Sequence, residues 1–245
     1  MCRLLVLVIL LSSCAVTPVR VPDSKSGPLP KFIDVKPIRN VGQLPSVIAD
    51  VESHLPAGHV YGDPDRVTMV HEGTHGINSL LRQRYGQPVF YILHNRAVRL
   101  NEPRTTLAAI AKQIPASLRG AVYRLYLIQM QSYWNDTPTY IFDEWTAYTN
   151  GAEARQELGI HDRSETARYA LEFCVYSAYV PQDKQTKAFY KWQAERTMQL
   201  YRLAGIQDTY LHTLQQSQDA TGLRAKLRDT YGPHWTQEVF GIRAP

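Results

Sequence analysis

At 245 residues with 44% hydrophobic content, the chain can bury one sizeable core, and no internal repeat or long low-complexity tract divides it. Its 27 Lys and Arg against 22 Asp and Glu are mildly basic but dispersed along predicted helices, the pattern of a solvated surface, which excludes a nucleic-acid partner. The expected organisation is a leader (1–13), a Pro-rich tether (14–37) and one folded domain (38–245).

In chain order, Met1-Cys2-Arg3 is followed by the apolar run Leu4 to Leu11 and then Ser12-Ser13-Cys14. The run is too short to span a bilayer as a helix, which needs about 20 residues. The segment resembles a bacterial lipoprotein signal peptide ending in the lipobox Leu11-Ser12-Ser13-Cys14. That resemblance implies cleavage before Cys14, lipidation of Cys14 and attachment to a membrane through its acyl chains. Ala15 follows in place of the aspartate that favours inner-membrane retention in Gram-negative lipoproteins, so the expected location is the outer membrane facing the periplasm. Pro18, Pro22, Pro28, Pro30 and Pro37 make the next segment an extended tether, with order expected from about Ile38. With Cys14 acylated, no disulfide is expected, and Cys174, in the apolar stretch Leu171 to Tyr176, reads as a buried, inert thiol.

A helix is predicted next. Asp63 suits its N-cap, Pro64 its first position, Asp65 the positive end of its dipole, and Gly86 before Gln87-Pro88 its stop. Val67, Met69, Val70, Ile77, Leu80 and Leu81 spread over more than one face, so protein should enclose it on most sides. Gly73 and Gly76 each cost about 1 kcal/mol of helix propensity relative to alanine. Something must approach the backbone closely there.

Mid-helix lies His71-Glu72-Gly73-Thr74-His75, the HExxH spacing. Residues four apart on a helix point the same way, so His71 and His75 can chelate one ion, with Glu72 beside them. A zinc ion held by two neutral histidines and one further ligand keeps a position open for water, whose pKa falls to about 7. Glu72 is placed to take that water's proton.

Val89–Leu93 and Ala97–Leu100 read as two short strands turned at His94-Asn95-Arg96, a hairpin beside the helix. Residues 90–93 are a candidate edge for an extended substrate. From Thr105 onward helix dominates: 107–113, 118–133, 141–158, 164–179, 186–204, and shorter pieces near 209–217 and 223–231. The fold class expected is α+β, mostly helical, with a small β-sheet or hairpin.

The third metal ligand must come from afar, because Asn78 and Arg82 replace the glycine and third histidine of the metzincin pattern HExxHxxGxxH. The predicted helix through 140–153 puts acids among aromatic and small residues, and Glu144, Ala147, Tyr148 and Gly151 share one face. Glu144 is the chosen ligand; Glu153, Glu172 and His161 are reserves.

These residues resemble the gluzincin metallopeptidases, the thermolysin-like and anthrax-lethal-factor-like group, in which a glutamate on a second helix completes the zinc site. The resemblance covers the helices of His71, Glu72, His75 and Glu144, and implies a zincin-like domain binding Zn2+. Tyr148 stands where the thermolysin pattern has an aspartate that orients a zinc histidine, so Asp143, Asn150 or a backbone carbonyl must serve instead. Tyr148, or Tyr140, could donate a hydrogen bond to the oxyanion formed during attack.

The expected activity is hydrolysis of peptide bonds by metal-activated water, with Glu72 as general base. A peptidoglycan endopeptidase or amidase using the same site is the second expectation. A non-catalytic lipoprotein that binds a partner is the third, and Glu72 argues against it.

Overall fold

The computed structural model describes residues 28–42, 46–59, 61, 64–160, 165–206 and 209–243. The leader, Cys14, Asp63 and His161 lie outside the described residues.

The described chain is mostly helical, with one small antiparallel sheet. Strand β1 (Phe32–Asp34) comes first, then helices α1 (Ser46–His54) and α2 (Arg66–Tyr85), then β2 (Val89–Tyr91) and β3 (Arg96–Arg99). β3 is central, pairing Val98 with both Phe32 and Phe90. β1 lies inside the segment expected to be a tether, so ordered structure begins before Ile38. Its partner is distant in sequence, and composition alone does not register such pairing.

The sheet is buried on both faces, which explains why β2 reads as a continuous apolar run rather than an alternating one. Phe90, Ile92 and Val98 face the larger core with Phe142, Trp145 and Phe189. Val89, Tyr91, Leu93 and Ala97 face a second cluster with α1 and α2. The β2–β3 turn departs from expectation: Leu93, His94 and Asn95 all have positive φ. Asp50 supports it, accepting from His94 N at 2.7 Å and Asn95 N at 3.4 Å. Nor is Tyr91 open to an added strand, since its N–H donates to Asn78 Oδ1 and its carbonyl accepts from Asn150 Nδ2.

α2 starts at a different cap. Asp65 is its N-cap, accepting from Val67 N and Thr68 N, and Gly86 ends it in the left-handed conformation at φ 66°. The two mid-helix glycines meet neighbours. A Cβ at Gly73 would lie 2.7 Å from Val51 Cγ1, and one at Gly76 would lie 2.9 Å from His59 Cε1. α1 and the loop after it therefore seat directly on the α2 backbone.

Helix α3 (Leu107–Gln113) follows, and then the stretch expected as one helix through 118–133 breaks into three pieces. These are a 3-10 turn (Ala116–Leu118), a π-helix (Tyr123–Gln129) and the short α4 (Gln131–Trp134). The cause is Glu172, whose buried carboxylate accepts from Ala121 N and Val122 N at 3.1 Å each and pairs with Arg168. A Cβ at Gly120 would lie 2.2 Å from that carboxylate, so the chain passes only as glycine.

The remaining helices are α5 (Tyr140–Glu157), α6 (Thr166–Ser177), α7 (Lys184–Leu203), α8 (Tyr210–Gln216), α9 (Thr221–Tyr231) and α10 (Pro233–Phe240). α5 is the buried axis, packed against α2, α6 and α7. Glu102 anchors its start, taking Thr139 N at 2.8 Å and Thr139 Oγ1 at 2.6 Å. Cys174 is buried, and burial pushes its thiol pKa well up, as befits an inert core residue.

Candidate metal centre

α2 and α5 bring the predicted ligands together. The helices close where α5 carries Gly151, at which a Cβ would lie 3.5 Å from Val67 O on the first turn of α2. His71 Nε2 and His75 Nε2 are 3.2 Å apart. Glu144 Oε2 lies 3.5 Å from His75 Nε2 and 3.7 Å from His71 Nε2. Two nitrogens about 2.0–2.1 Å from one tetrahedral centre stand about 3.3 Å apart, so the triangle has the size of a ligand set. The side chains of His71, His75 and Glu144 are 12%, 23% and 5% exposed. This group can hold a metal ion.

The donor atoms themselves support the fit. Glu144 Oε2 is buried without a hydrogen-bond partner among the described residues, and a bare buried acceptor is costly unless something arrives to use it. Tyr140 stands one turn before Glu144 on α5, and burial and then the Glu144 carboxylate raise its phenol pKa well above the ordinary value.

His75 is oriented by Asp143, whose Oδ1 lies 2.9 Å from His75 Nδ1. Of the acceptors considered from sequence, Asp143 serves and Asn150 does not: Asn150 bonds Thr74 Oγ1 and Tyr91 O and accepts from Arg196. Asn78 holds Asp143 in turn, donating from Nδ2 to Oδ1 at 2.7 Å while its own Oδ1 takes Tyr91 N at 2.6 Å. The residue that breaks the metzincin pattern thus ties the sheet to the metal centre. Arg82, the other departure, reaches Thr139 Oγ1. His71 has no such support, for its Nδ1 is buried without a partner among the described residues.

The two histidines titrate in opposite directions. Burial, then the neighbouring His75, pushes His71 down to about 3. Burial also opposes charge on His75, but the Asp143 carboxylate, its hydrogen bond and Glu144 outweigh it and hold the pKa well above the ordinary imidazole value. Asp143 is held below the usual carboxylate range, with His75 and Asn78 overcoming the effect of burial.

Around the ligands stand tyrosines. The Tyr148 ring packs edge-on against His71 at 4.3 Å between centroids, and its hydroxyl is 2.7 Å from that of Tyr126. Burial, then the nearby Glu144, pushes the Tyr126 phenol up to about 12. Tyr148 is raised further, by burial and by Tyr126. Tyr126 comes from the π-helix and no sequence signal marked it.

The reserve acids have other partners. Glu153 takes Arg196 at 2.7 Å and His94 at 3.3 Å. Glu172 caps the chain before the π-helix. Compared with protein-family models, curated proteins and solved structures, the chain finds no match.

Proposed function

We propose that this protein is a zinc-dependent metallopeptidase, held on the bacterial cell envelope through a lipidated Cys14. The observation that carries the peptidase reading is the convergence of three atoms able to ligate a metal, one of them the unpartnered, buried Glu144 Oε2, on helices of which one carries Glu72 directly after His71. Two imidazole nitrogens and one carboxylate oxygen are three donors among the described residues, which leaves a fourth tetrahedral position for water and suits a catalytic zinc site better than a closed structural one. The pairing of a two-histidine helix with a glutamate-bearing helix supports the resemblance to gluzincins and a zincin-like domain.

Zinc bound there supplies a Lewis acid and lowers the pKa of its water to about 7. The protein's own residues do the rest. Asp143 accepts a hydrogen bond from the Nδ1–H of His75, which fixes the tautomer that presents the Nε2 lone pair to the centre. Glu72 accepts the proton of the attacking water and returns it to the leaving amine. Tyr148, kept protonated by burial and backed by Tyr126, donates to the oxygen on which negative charge develops.

Elemental analysis of the wild type and three variants tests this. One zinc per chain is expected in the wild type, lost in His71→Ala and Glu144→Ala and kept in Glu72→Gln. Glu72→Gln should lose hydrolysis of unfolded proteins by about 10²–10⁴-fold. A zinc-free wild type under zinc-replete conditions overturns the reading, while cleavage of purified sacculi but not of proteins moves the substrate to peptidoglycan.

A further inference from the structure

Helix α7 carries three lysines along one side of its N-terminal half. Lys184, Lys187 and Lys191 stand at i, i+3 and i+7 of α7 and line a groove of about 400 Å³, whose other residues include Pro28, Ala188 and Tyr231. No acidic residue lines it among the described residues. The first turn of α7 likewise holds no acid, so lysines at the positive end of the helix dipole sit where positive charge is least favoured. The N-cap Asp183 is occupied, bonding Thr186 N, Thr186 Oγ1 and Asn101 Nδ2. Lys191 lies over the Trp235 ring, its Nζ 5.6 Å from the centroid, and Lys184 and Lys187 are the exposed charges of the groove.

The chain enters the fold beside this groove. Lys31 N donates to Gln185 Oε1 and Gln185 Nε2 to Lys31 O, each at 3.0 Å, which fastens the entering segment to the first turn of α7. Only residues 15–27 lie between Cys14 and Pro28, a reach of at most about 50 Å when fully extended.

We propose that this groove docks on an anionic membrane surface, with the exposed Lys184 and Lys187 taking lipid phosphates. The proposal rests on the inferred anchoring at Cys14 for its location, and on the groove alone for its chemistry. Its role is to orient the domain, since each lysine near an anionic leaflet strengthens membrane partitioning about fivefold.

The test uses the full chain in vesicles of phosphatidylcholine alone or mixed with phosphatidylglycerol, and follows lysine acetylation by mass spectrometry. Lys184 and Lys187 should react several-fold more slowly in the anionic vesicles and recover in high salt, while the exposed Lys36 and Lys112 do not change. Equal rates in both vesicles overturn the proposal. Equal protection of the detergent-solubilised chain by inorganic phosphate also overturns it, assigning the groove to a soluble anion.

A Cys14→Ala chain, which cannot be acylated, separates groove from anchor. Its preference for anionic over neutral vesicles should persist and fall about 25-fold when Lys184 and Lys187 become glutamine. Acylation of the wild type without any such preference in Cys14→Ala leaves the anchor standing and removes the groove.

Discussion

Asp143 Oδ1 lies 2.9 Å from His75 Nδ1 and also accepts from Asn78 Nδ2 at 2.7 Å, so the carboxylate that orients one histidine is itself held from the other side. Removing it frees the His75 ring to rotate and to change tautomer. Asp143→Ala should weaken zinc binding by about 10–100-fold without abolishing it, the usual cost of losing a partner of a metal-bound histidine. Competition against a chromogenic chelator measures this. An unchanged affinity would show that Asp143 plays no part in holding zinc.

Gly73 gives a prediction in which two effects oppose each other. Alanine improves helix propensity by about 1 kcal/mol, yet its Cβ would stand 2.7 Å from Val51 Cγ1 and 3.1 Å from Leu55 Cδ2. Overpacking of that kind costs about 1–3 kcal/mol. Gly73→Ala should therefore lower the melting temperature by a few degrees, and a higher melting temperature would mean that α1 shifts aside freely.

These cases show what was readable from the chain and what was not. His71, Glu72 and His75 are a local spacing on one helix, and Glu144 stands on a helix whose small residues announce a close neighbour. Both are short-range patterns, and the structure brings His71, His75 and Glu144 together as a group that can hold a metal ion. Gly73 and Gly76 likewise announced their close approach. β1 was missed because a three-residue strand owes its existence to a partner far along the chain. Tyr126 was missed for a different reason: a π-helix changes which residues share a face, and a period of 3.6 cannot register that. α10 carried readable signals that went unused, Pro233 at its start and Gly241 at φ 68° at its end.

The Arg196–Glu153 pair predicts a pH dependence. Arg196 is fully buried and Glu153 almost so, and Arg196 donates to Glu153 Oε2 from Nε at 2.9 Å and from a terminal nitrogen at 2.7 Å. Burial raises the Glu153 pKa, but Arg196 and then His94 outweigh it and hold the pKa below the ordinary 4.5. A folded value below the unfolded one means that the charged carboxylate stabilises the fold above the unfolded pKa. That contribution is lost as pH falls through the folded pKa. Glu153→Gln leaves a buried guanidinium without its counter-charge and should cost about 3–5 kcal/mol at neutral pH. Urea midpoints of the two proteins should keep that gap down to about pH 4.5 and converge below it. A gap of constant size through the acid range would assign the effect to packing instead of charge.

The geometry of Gly120 and Glu172 links a buried structural charge to the metal centre. The Glu172 carboxylate holds the two backbone N–H groups that lead into the π-helix, and the π-helix carries Tyr126 to within 2.7 Å of the Tyr148 hydroxyl. Gly120→Ala puts a Cβ where the carboxylate stands. Glu172 must then withdraw and leave those groups unpaired, at about 1–3 kcal/mol for each buried donor. Loosening of this segment should separate the two hydroxyls and expose Tyr126 to water, so its phenol, raised to about 12 by burial and Glu144, returns toward 10. Tyrosine NMR signals followed through an alkaline titration would report the change, with Tyr126→Phe identifying the resonance. Zinc stoichiometry should stay at one per chain, because no ligand comes from the π-helix. If Gly120→Ala instead removed the metal while leaving Tyr126 near 12, the π-helix would be tied to the ligand helices by contacts other than the tyrosine pair.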